Sequence, residues 1–312
     1  MRIVTLTLNP SVDVYGKVET IKPWHKLRCF DVRRDPGGGG INAARAIRHL
    51  GGETTALYLA GGPTGDQLQL LIKKDSLEGI RVNTVSQTRE SFVIVETQTG
   101  LEFRYVLPGC EIQDSELKEF LEILERMQPA PDYIVASGSL PKGSPVDFYA
   151  RIARLARKMG ARMALDTSGE ALKAALEEKV YLLKPNRREL ADLMGGCREM
   201  AEMENMARQI VADGRCDLLA LTLGEDGAFL AWKGGDLLVR TPEVQVSSSV
   251  GAGDSFLGGF VMKLAQGEPV EEAFRFGVAA GTAALLTPGT ELCTLKDTLR
   301  LYEQIRGQGG GV

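Results

Sequence analysis

Short apolar runs alternate with segments of helical spacing, and that alternation limits the fold more than any other feature of the chain. Residues 2–8 (RIVTLTL) are β-branched and apolar and stop at Asn9-Pro10, a strand followed by a loop. Residues 42–50 (NAARAIRHL) have a helical pattern closed by Gly51-Gly52. Strand character returns at 55–60, ends at Gly61-Gly62-Pro63, and predicts a helix over 64–76. Further strands are expected at 132–137, 161–166, 179–184 and 217–223, and further helices at 113–128, 145–159, 187–194 and 199–213. Strand, helix, strand in that rhythm implies βαβ units and a parallel sheet. In such sheets ligands bind beyond the carboxyl ends of the strands, so the residues just after each strand are the functional candidates.

Two stretches break the rhythm. Residues 11–35 carry alternating apolar residues with no helical pattern, and 91–106 (SFVIVETQTGLEFRYV) read as a hairpin turning near Thr99-Gly100. Together they predict a small β-sheet standing off the main one as a lid; the bland alternative is a solvent-exposed excursion with no role. The last residues, GQGGGV (307–312), are expected to form a disordered tail.

Composition removes several classes of function. With 37 Lys+Arg against 41 Asp+Glu the net charge is −4, without the basic surplus of a general nucleic-acid binder. Two histidines, His25 and His49, leave little room for zinc sites or histidine relays. The five cysteines are odd in number, widely spaced and free of any CxxC pair, which fits free thiols in a reducing, cytoplasmic setting. The N-terminus does not read as a signal peptide, and no run of about 18 apolar residues predicts a membrane span. A length of 312 residues sets a prior near two domains, although single α/β domains of that size are common.

What the chain has in excess is glycine, 36 residues of it, and in bunches. The first bunch, Gly37-Gly38-Gly39-Gly40, precedes Ile41, Asn42 and a helix. Consecutive glycines let backbone approach a ligand, and Asn42 offers a donor and an acceptor; a flexible loop is the plain alternative. The second, Gly251-Ala252-Gly253-Asp254-Ser255, opens the helical run FLGGFVMKLA. A helix N-terminus is a ready phosphate site, so a carboxylate there is peculiar. Asp254 could cap the helix, or it could take a proton from a hydroxyl attacking a phosphate held by the same amides. In Lys184-Pro185-Asn186-Arg187-Arg188-Glu189, residues Asn186 and Glu189 share a helix face and could hold hydrated Mg²⁺ or simply cap the helix. Thr222-Leu223-Gly224-Glu225-Asp226-Gly227 reads as a tight turn between strands. There is no GxxxxGK[ST], and no GxGxxG after the first strand. Phosphoryl transfer without a P-loop still needs an anion cradle, a metal and a positioned nucleophile.

In chain order, GGGGIN (37–42), SGSLPKG (137–143), KPNRREL (184–190), TLGEDGA (222–228) and GAGDSFLGG (251–259) together resemble the PfkB, or ribokinase-like, family of carbohydrate kinases. The resemblance covers almost the whole chain. TLTLNPSVD (5–13), HKLRC (25–29), the four glycines before Ile41, and FGVAAGTAAL (276–285) resemble its sugar-phosphate branch, nearest the minor type of 6-phosphofructokinase. Kinases of fructose 1-phosphate and tagatose 6-phosphate usually carry Lys where Gly39 stands.

The resemblance implies a three-layer α/β/α domain over 1–312 with a mostly parallel central sheet, and lid segments at about 11–35 and 88–107. It implies an ATP- and Mg²⁺-dependent kinase acting on the 1-hydroxyl of fructose 6-phosphate. Asp254 would be the general base, with Gly251, Ala252 and Gly253 supplying anion-hole amides. Asn186 and Glu189 would organise Mg²⁺, and Lys184, Asn186, Thr222, Gly224 and Gly227 would bind the nucleotide. Asp13, Gly38, Gly39 and Asn42 would hold sugar hydroxyls. A phosphorylated acceptor needs cations, and Lys26, Arg28, Arg89 and Arg104 on the lid are candidates, with Ser139 adding a hydroxyl. The lid would also form a homodimer contact. Family members often bind a monovalent cation such as K⁺ near the segments here numbered 248–250 and 284–291; Thr287, Pro288 and Glu291 depart from that pattern, and Ser249 stands where many relatives have Thr. Two other readings stay open: tagatose-6-phosphate kinase or 1-phosphofructokinase activity, and a non-catalytic sugar-phosphate or nucleotide sensor on the same fold.

Overall fold

A computed structural model of the chain describes residues 1–109, 111–193, 195, 196 and 199–308. The chain opens with β1 (Ile3–Thr7), pairs β2 (Ser11–Val18) with β3 (Phe30–Gly37), and returns through α1 (Gly39–His49), β4 (Thr55–Ala60), α2 (Gly62–Lys74) and β5 (Glu78–Asn83). A hairpin follows, β6 (Arg89–Glu96) and β7 (Glu102–Val106), then α3 (Asp114–Arg126), β8 (Tyr133–Ser137), α4 (Phe148–Met159), β9 (Arg162–Asp166), α5 (Gly169–Leu176), β10 (Val180–Leu183) and α6 (Arg187–Leu193). The chain ends with α7 (Met200–Ala212), β11 (Cys216–Thr222), β12 (Ala228–Trp232), β13 (Gly235–Val239), α8 (Ala252–Ala265), α9 (Val270–Ala284) and α10 (Leu295–Gln308).

The main sheet has the order β13-β12-β11-β10-β9-β8-β1-β4-β5. The strands from β11 to β5 run parallel, and β12 and β13 close one edge antiparallel. Parallel strands covered on both faces are apolar throughout, which is why β1 (IVTLT) and β8 (YIVAS) are buried at every residue. One face is covered by α3 to α7 around Phe120, Phe148, Leu172 and Met203. The other is covered by α1, α8, α9 and α10 around Ile47, Phe260, Phe274 and Leu301. From β1 the chain winds one way to β4 and β5, then crosses to β8 and winds the other way. The gap between the ends of β1 and β8 is therefore the topological switch point, where open α/β sheets bind ligands.

The lid is a four-stranded sheet, β3-β2-β6-β7. It is mixed, because β2 and β6 pair in parallel across the two excursions. Strand alternation divides its side chains. Register places Asp13, Tyr15, Arg33, Asp35, Arg89 and Arg104 on one face, and Val14, Val32, Phe92, Ile94, Phe103 and Tyr105 on the other. The first face meets the α/β body. On the second, Val32 and Tyr105 stay half exposed.

Most predicted elements stand within a few residues of their expected ends. The largest shifts are of three residues: α4 starts at Phe148 rather than 145, and α1 starts at Gly39 rather than 42, so half the glycine run is helical. The elements with no predicted counterpart are β5, α5, β13, α9 and α10. Helix α9 (VEEAFRFGVAAGTAA) is buried along most of its length, with Glu271, Glu272 and Arg275 part-exposed near its start. The expected tail needs correction at its start, since α10 runs to Gln308; residues 309–312 lie outside the described residues. Cys29, Cys216 and Cys293 are free thiols, while Cys110 and Cys197 lie outside the described residues. Among the described residues no helix is long and apolar enough to cross a membrane.

Candidate active site

The glycine run is not a flexible loop. A Cβ on Gly37 would overlap the Asp13 carboxylate, one on Gly38 would lie 2.6 Å from Thr7 Cγ2, and one on Gly39 would lie 2.9 Å from Ser137 Cβ. A Cβ on Gly40 would sit 2.5 Å from Thr7 Oγ1. Glycine at all four lets the start of α1 press onto the ends of β1 and β8. Gly38, with φ 113°, turns the chain into the helix. Asn42, one turn in, is 6% exposed; its amide donates to Asp254 Oδ2 (3.0 Å), while its buried Oδ1 has no partner among the described residues. Asp13 lies beneath the run and accepts from Ser11 Oγ at 2.6 Å; burial raises its carboxyl above the ordinary range.

Asp254 sits in the first turn of α8. Gly251, left-handed at φ 71°, leads into that turn, whose N–H groups are the unpaired donors of any helix start. Burial of the Asp254 carboxylate, together with the charge of Asp166, pushes its pKa up to about 6 against the opposing pull of Asn42, Lys184 and Ser137. Ser137 Oγ lies 3.4 Å from Asp254 Oδ1 and 3.3 Å from Asp166 Oδ2. The carboxylate thus faces the glycine run while standing on a helix N-terminus.

Lys184 directly follows β10, is 5% exposed, and pairs with Asp166 at 3.1 Å. Burial alone would lower its pKa, but Asp166, Glu189 and Asp254 outweigh burial and hold the ammonium above the usual lysine value. A Cβ on Gly253 would stand 3.4 Å from Lys184 Nζ, so this cation lies against the α8 first turn. Asn186 and Glu189 form a reciprocal cap on α6: Asn186 N–H donates to Glu189 Oε2 (2.8 Å) and Glu189 N–H to Asn186 Oδ1 (2.9 Å). The capping reading of this pair is therefore correct as geometry. It leaves Glu189 Oε1 free of the cap. Burial raises the Glu189 carboxyl. Among the described residues no three His, Cys, Asp or Glu cluster as a closed metal cage. Magnesium commonly takes one or two carboxylates and completes its shell with water and substrate phosphate, and Glu189 beside Asp166 fits that pattern.

Next to α8 opens a cleft of about 650 Å³ lined by Asn186, Thr222, Gly224, Gly227, Ser249 and Gly253, with Phe256, Val278 and Leu285 as apolar wall. The TLGEDGA stretch is a single 3₁₀ turn between antiparallel strands, as expected. Gly227, at φ 105°, has no room for a side chain, since a Cβ would lie 2.9 Å from Arg240 Cα. Asn186 from one motif and Thr222, Gly224 and Gly227 from another thus line one cleft.

The phosphate cations divide. Arg89 Nη2 donates to the Asn9 carbonyl (3.2 Å), and Asn9 Nδ2 donates to Ser139 Oγ (3.0 Å), so Arg89 and Ser139 meet through Asn9 at the ends of β1 and β8. Arg104 points elsewhere: it bonds Glu102 (2.6 Å) and Ser249 Oγ (2.9 Å), tying β7 to the loop before Gly251. Lys26 and Arg28 lie on the exposed stretch between β2 and β3. Sequence reading passed over Asp166, Ser137 and Asn9. All three end or follow strands, and that position was their signal.

The model of the pfkB family carbohydrate kinases matches residues 6–297. The ATP-dependent 6-phosphofructokinase isozyme 2 of Escherichia coli is 39% identical over 306 residues, covering 97% of this chain and 98% of that one. The isozyme 2 of Mycobacterium tuberculosis is 38% identical over 304 residues, covering 97% and 89%. Solved structures of E. coli phosphofructokinase-2 superpose with TM-scores of 0.93 for the potassium complex and 0.92 for the fructose 6-phosphate complex. They are 39% and 37% identical, and each covers 98% of this chain and 99% of the other. Fold, motif positions and relatives agree: the chain belongs to the pfkB family of carbohydrate kinases.

Proposed function

We propose that the protein transfers the γ-phosphoryl group of ATP to the 1-hydroxyl of fructose 6-phosphate, giving fructose 1,6-bisphosphate and ADP. The observation that carries this reading is Asp254, a desolvated carboxylate on a helix N-terminus, bonded by Asn42 and facing the glycine run. With a pKa of about 6 it is mostly ionised at neutral pH and basic enough to accept a proton. The 1-hydroxyl, held over Gly38 and Gly39 by Asp13 and Asn42, gives its proton to Asp254 as its oxygen bonds to the γ-phosphorus and ADP leaves. The amides of 251–253 and the Lys184 ammonium stabilise charge on the moving group. Mg²⁺, when bound with the nucleotide, supplies charge neutralisation on the phosphates; Glu189, set by its cap with Asn186, and Asp166 are the residues that would hold it. Arg89 and Ser139 supply the cation and hydroxyl for the acceptor's phosphate, with Lys26 and Arg28 as further lid cations.

The apolar outer face of the lid (Val32, Phe92, Ile94, Phe103, Tyr105) suits a homodimer contact between two lids, and we read the chain as one catalytic unit with the lid inserted. The segments 248–250 and 284–291 lie side by side, joined by Ser248 N–H to Leu285 O at 3.4 Å. A potassium complex of the E. coli relative supports testing K⁺ dependence there. The deciding experiment measures ADP release and kcat/KM across fructose 6-phosphate, fructose 1-phosphate, tagatose 6-phosphate and fructose. The reading requires fructose 6-phosphate to lead; preference for fructose, or binding of ATP with no turnover on any acceptor, refutes it.

A further inference from the structure

The turn after α9 is clasped by the lid on one side and α1 on the other. Arg33, on the inner lid face, pairs with Glu291 and donates through Nη2 to the Pro288 carbonyl at 3.1 Å. Its Nε bonds Asp35 at 2.7 Å, and the same Asp35 accepts from the Thr290 hydroxyl. The Arg33 guanidinium lies over the Tyr15 ring, 5.3 Å from its centroid, and that ring abuts Gly289, where a Cβ would come within 2.5 Å. From the body, Arg45 (4% exposed) donates to the Thr290 carbonyl at 3.0 Å. None of Arg33, Glu291, Thr290 or Arg45 has a part in the proposed reaction.

The residue that follows this clasp is Leu292. It is fully buried and left-handed at φ 64°, a conformation that non-glycine residues adopt only when their surroundings hold them there. Its carbonyl lies 2.8 Å from Thr287 Oγ1. Its side chain fills the place that a Cβ on Gly251 would take. Gly251 is itself left-handed and turns the chain into the first turn of α8. Two left-handed residues, Leu292 and Gly251, are therefore packed on each other, one fixed by the lid clasp and the other carrying the helix start.

We infer that Leu292 and the Arg33–Glu291 pair are positioning residues: through that pair the lid holds Leu292 against Gly251 and so fixes the direction of the α8 first-turn amides. The inference rests on the reading of those amides as the anion hole. It links acceptor-side lid contacts to the phosphoryl-transfer machinery by a continuous chain of contacts between two pinned backbone conformations.

The test combines steady-state kinetics with amide hydrogen exchange over 247–256, on the full chain. Leu292→Ala is expected to lower kcat about tenfold with both KM values within about twofold, and to speed exchange at Ser255, whose N–H bonds the Gly251 carbonyl at 2.8 Å. Leu292→Met, which keeps the volume, should restore both readouts. Arg33→Glu should lower kcat about threefold, modestly because the pair is partly exposed, and the swap Arg33→Glu with Glu291→Arg should recover it. Wild-type kcat and unchanged exchange in a folded Leu292→Ala overturn the inference while Asp254→Asn still tests the function. Faster exchange with unchanged kcat instead removes the anion-hole reading, and the inference with it. If Leu292→Ala melts too low to assay, the charge swap decides alone: failure to rescue is a refutation.

Discussion

Asn42 donates to Asp254 across 3.0 Å, joining helix starts that stand 212 residues apart in the chain. Each helix opens on glycines, and each glycine run ends where a polar side chain reaches the other helix. The bond does two things at once. It aims the carboxylate at the space over Gly38 and Gly39, and it favours the ionised form that burial opposes. The Asn42 Oδ1 atom stays buried without a partner among the described residues, an acceptor held ready for a hydroxyl donor.

Replacing the base separates binding from chemistry. Asp254→Asn keeps volume and a hydrogen-bonding group but cannot take a proton. We expect kcat to fall by about 10³-fold or more, within the range general-base removal produces, while ATP affinity measured by calorimetry stays within a few-fold. The same change should stabilise the fold at pH 8. In the folded chain the Asp254 pKa lies above its ordinary value of 3.8, so between about 4 and 6 the native state binds more protons than the unfolded one. Stability from this group therefore falls as pH rises through that window, and removing the charge returns about 3 kcal/mol. A thermal melt of Asp254→Asn no higher than wild type at pH 8 contradicts the assigned burial.

The same carboxylate sets the pH profile. With the free enzyme's base at about 6, kcat/KM should drop tenfold per pH unit below that value and level off above it. Asn42→Ala removes a donor that favours the charged form, so the acid limb should move to higher pH in addition to any loss of acceptor affinity. An acid limb that stays in place in this variant assigns it to some other group.

Gly39 tests whether the glycine run is a packing requirement as well as a cradle. Its missing side chain is the space that Ser137 fills. Gly39→Ala should cost about 1–3 kcal/mol in denaturant unfolding and raise the acceptor KM more than the ATP KM. Adding Ser137→Gly opens that space and should recover part of the stability. If Gly39→Ala is neutral and the double variant gains nothing, the run is looser than its contacts indicate.

How much of this was legible in the sequence depends on what kind of signal each part carries. Strands such as 55–60 and the helix at 145–159 announce themselves by period, because one face or both must be buried. Gly251-Ala252-Gly253-Asp254 was legible as a helix start, because glycines and a polar residue before a long apolar run mark one. Asp166 was not: a single Asp at the end of ARMALD looks like any strand terminus, and its importance comes from Lys184, 18 positions away, folding onto it. Arg104 shows the converse. Its residue type suits phosphate, but the register of β7 aims it at Glu102 and Ser249.

The Lys184–Asp166 pair offers the sharpest division between structure and catalysis. Both groups lie at strand ends, Lys184 is 5% exposed, and their oxygen and nitrogen stand 3.1 Å apart. Removing one member of a buried pair strands the other charge. Lys184→Met should therefore destabilise the fold by about 3 kcal/mol and, by leaving Asp166 facing Asp254 unopposed, shift the acid limb of kcat/KM further upward. Asp166→Asn on the same background removes the stranded charge. The double variant should regain most of the unfolding free energy yet stay slow, because it lacks both the cation beside Gly253 and one of the two carboxylates proposed to hold Mg²⁺. Recovery of kcat together with stability would show that Lys184 holds the strand ends and takes no part in the transfer.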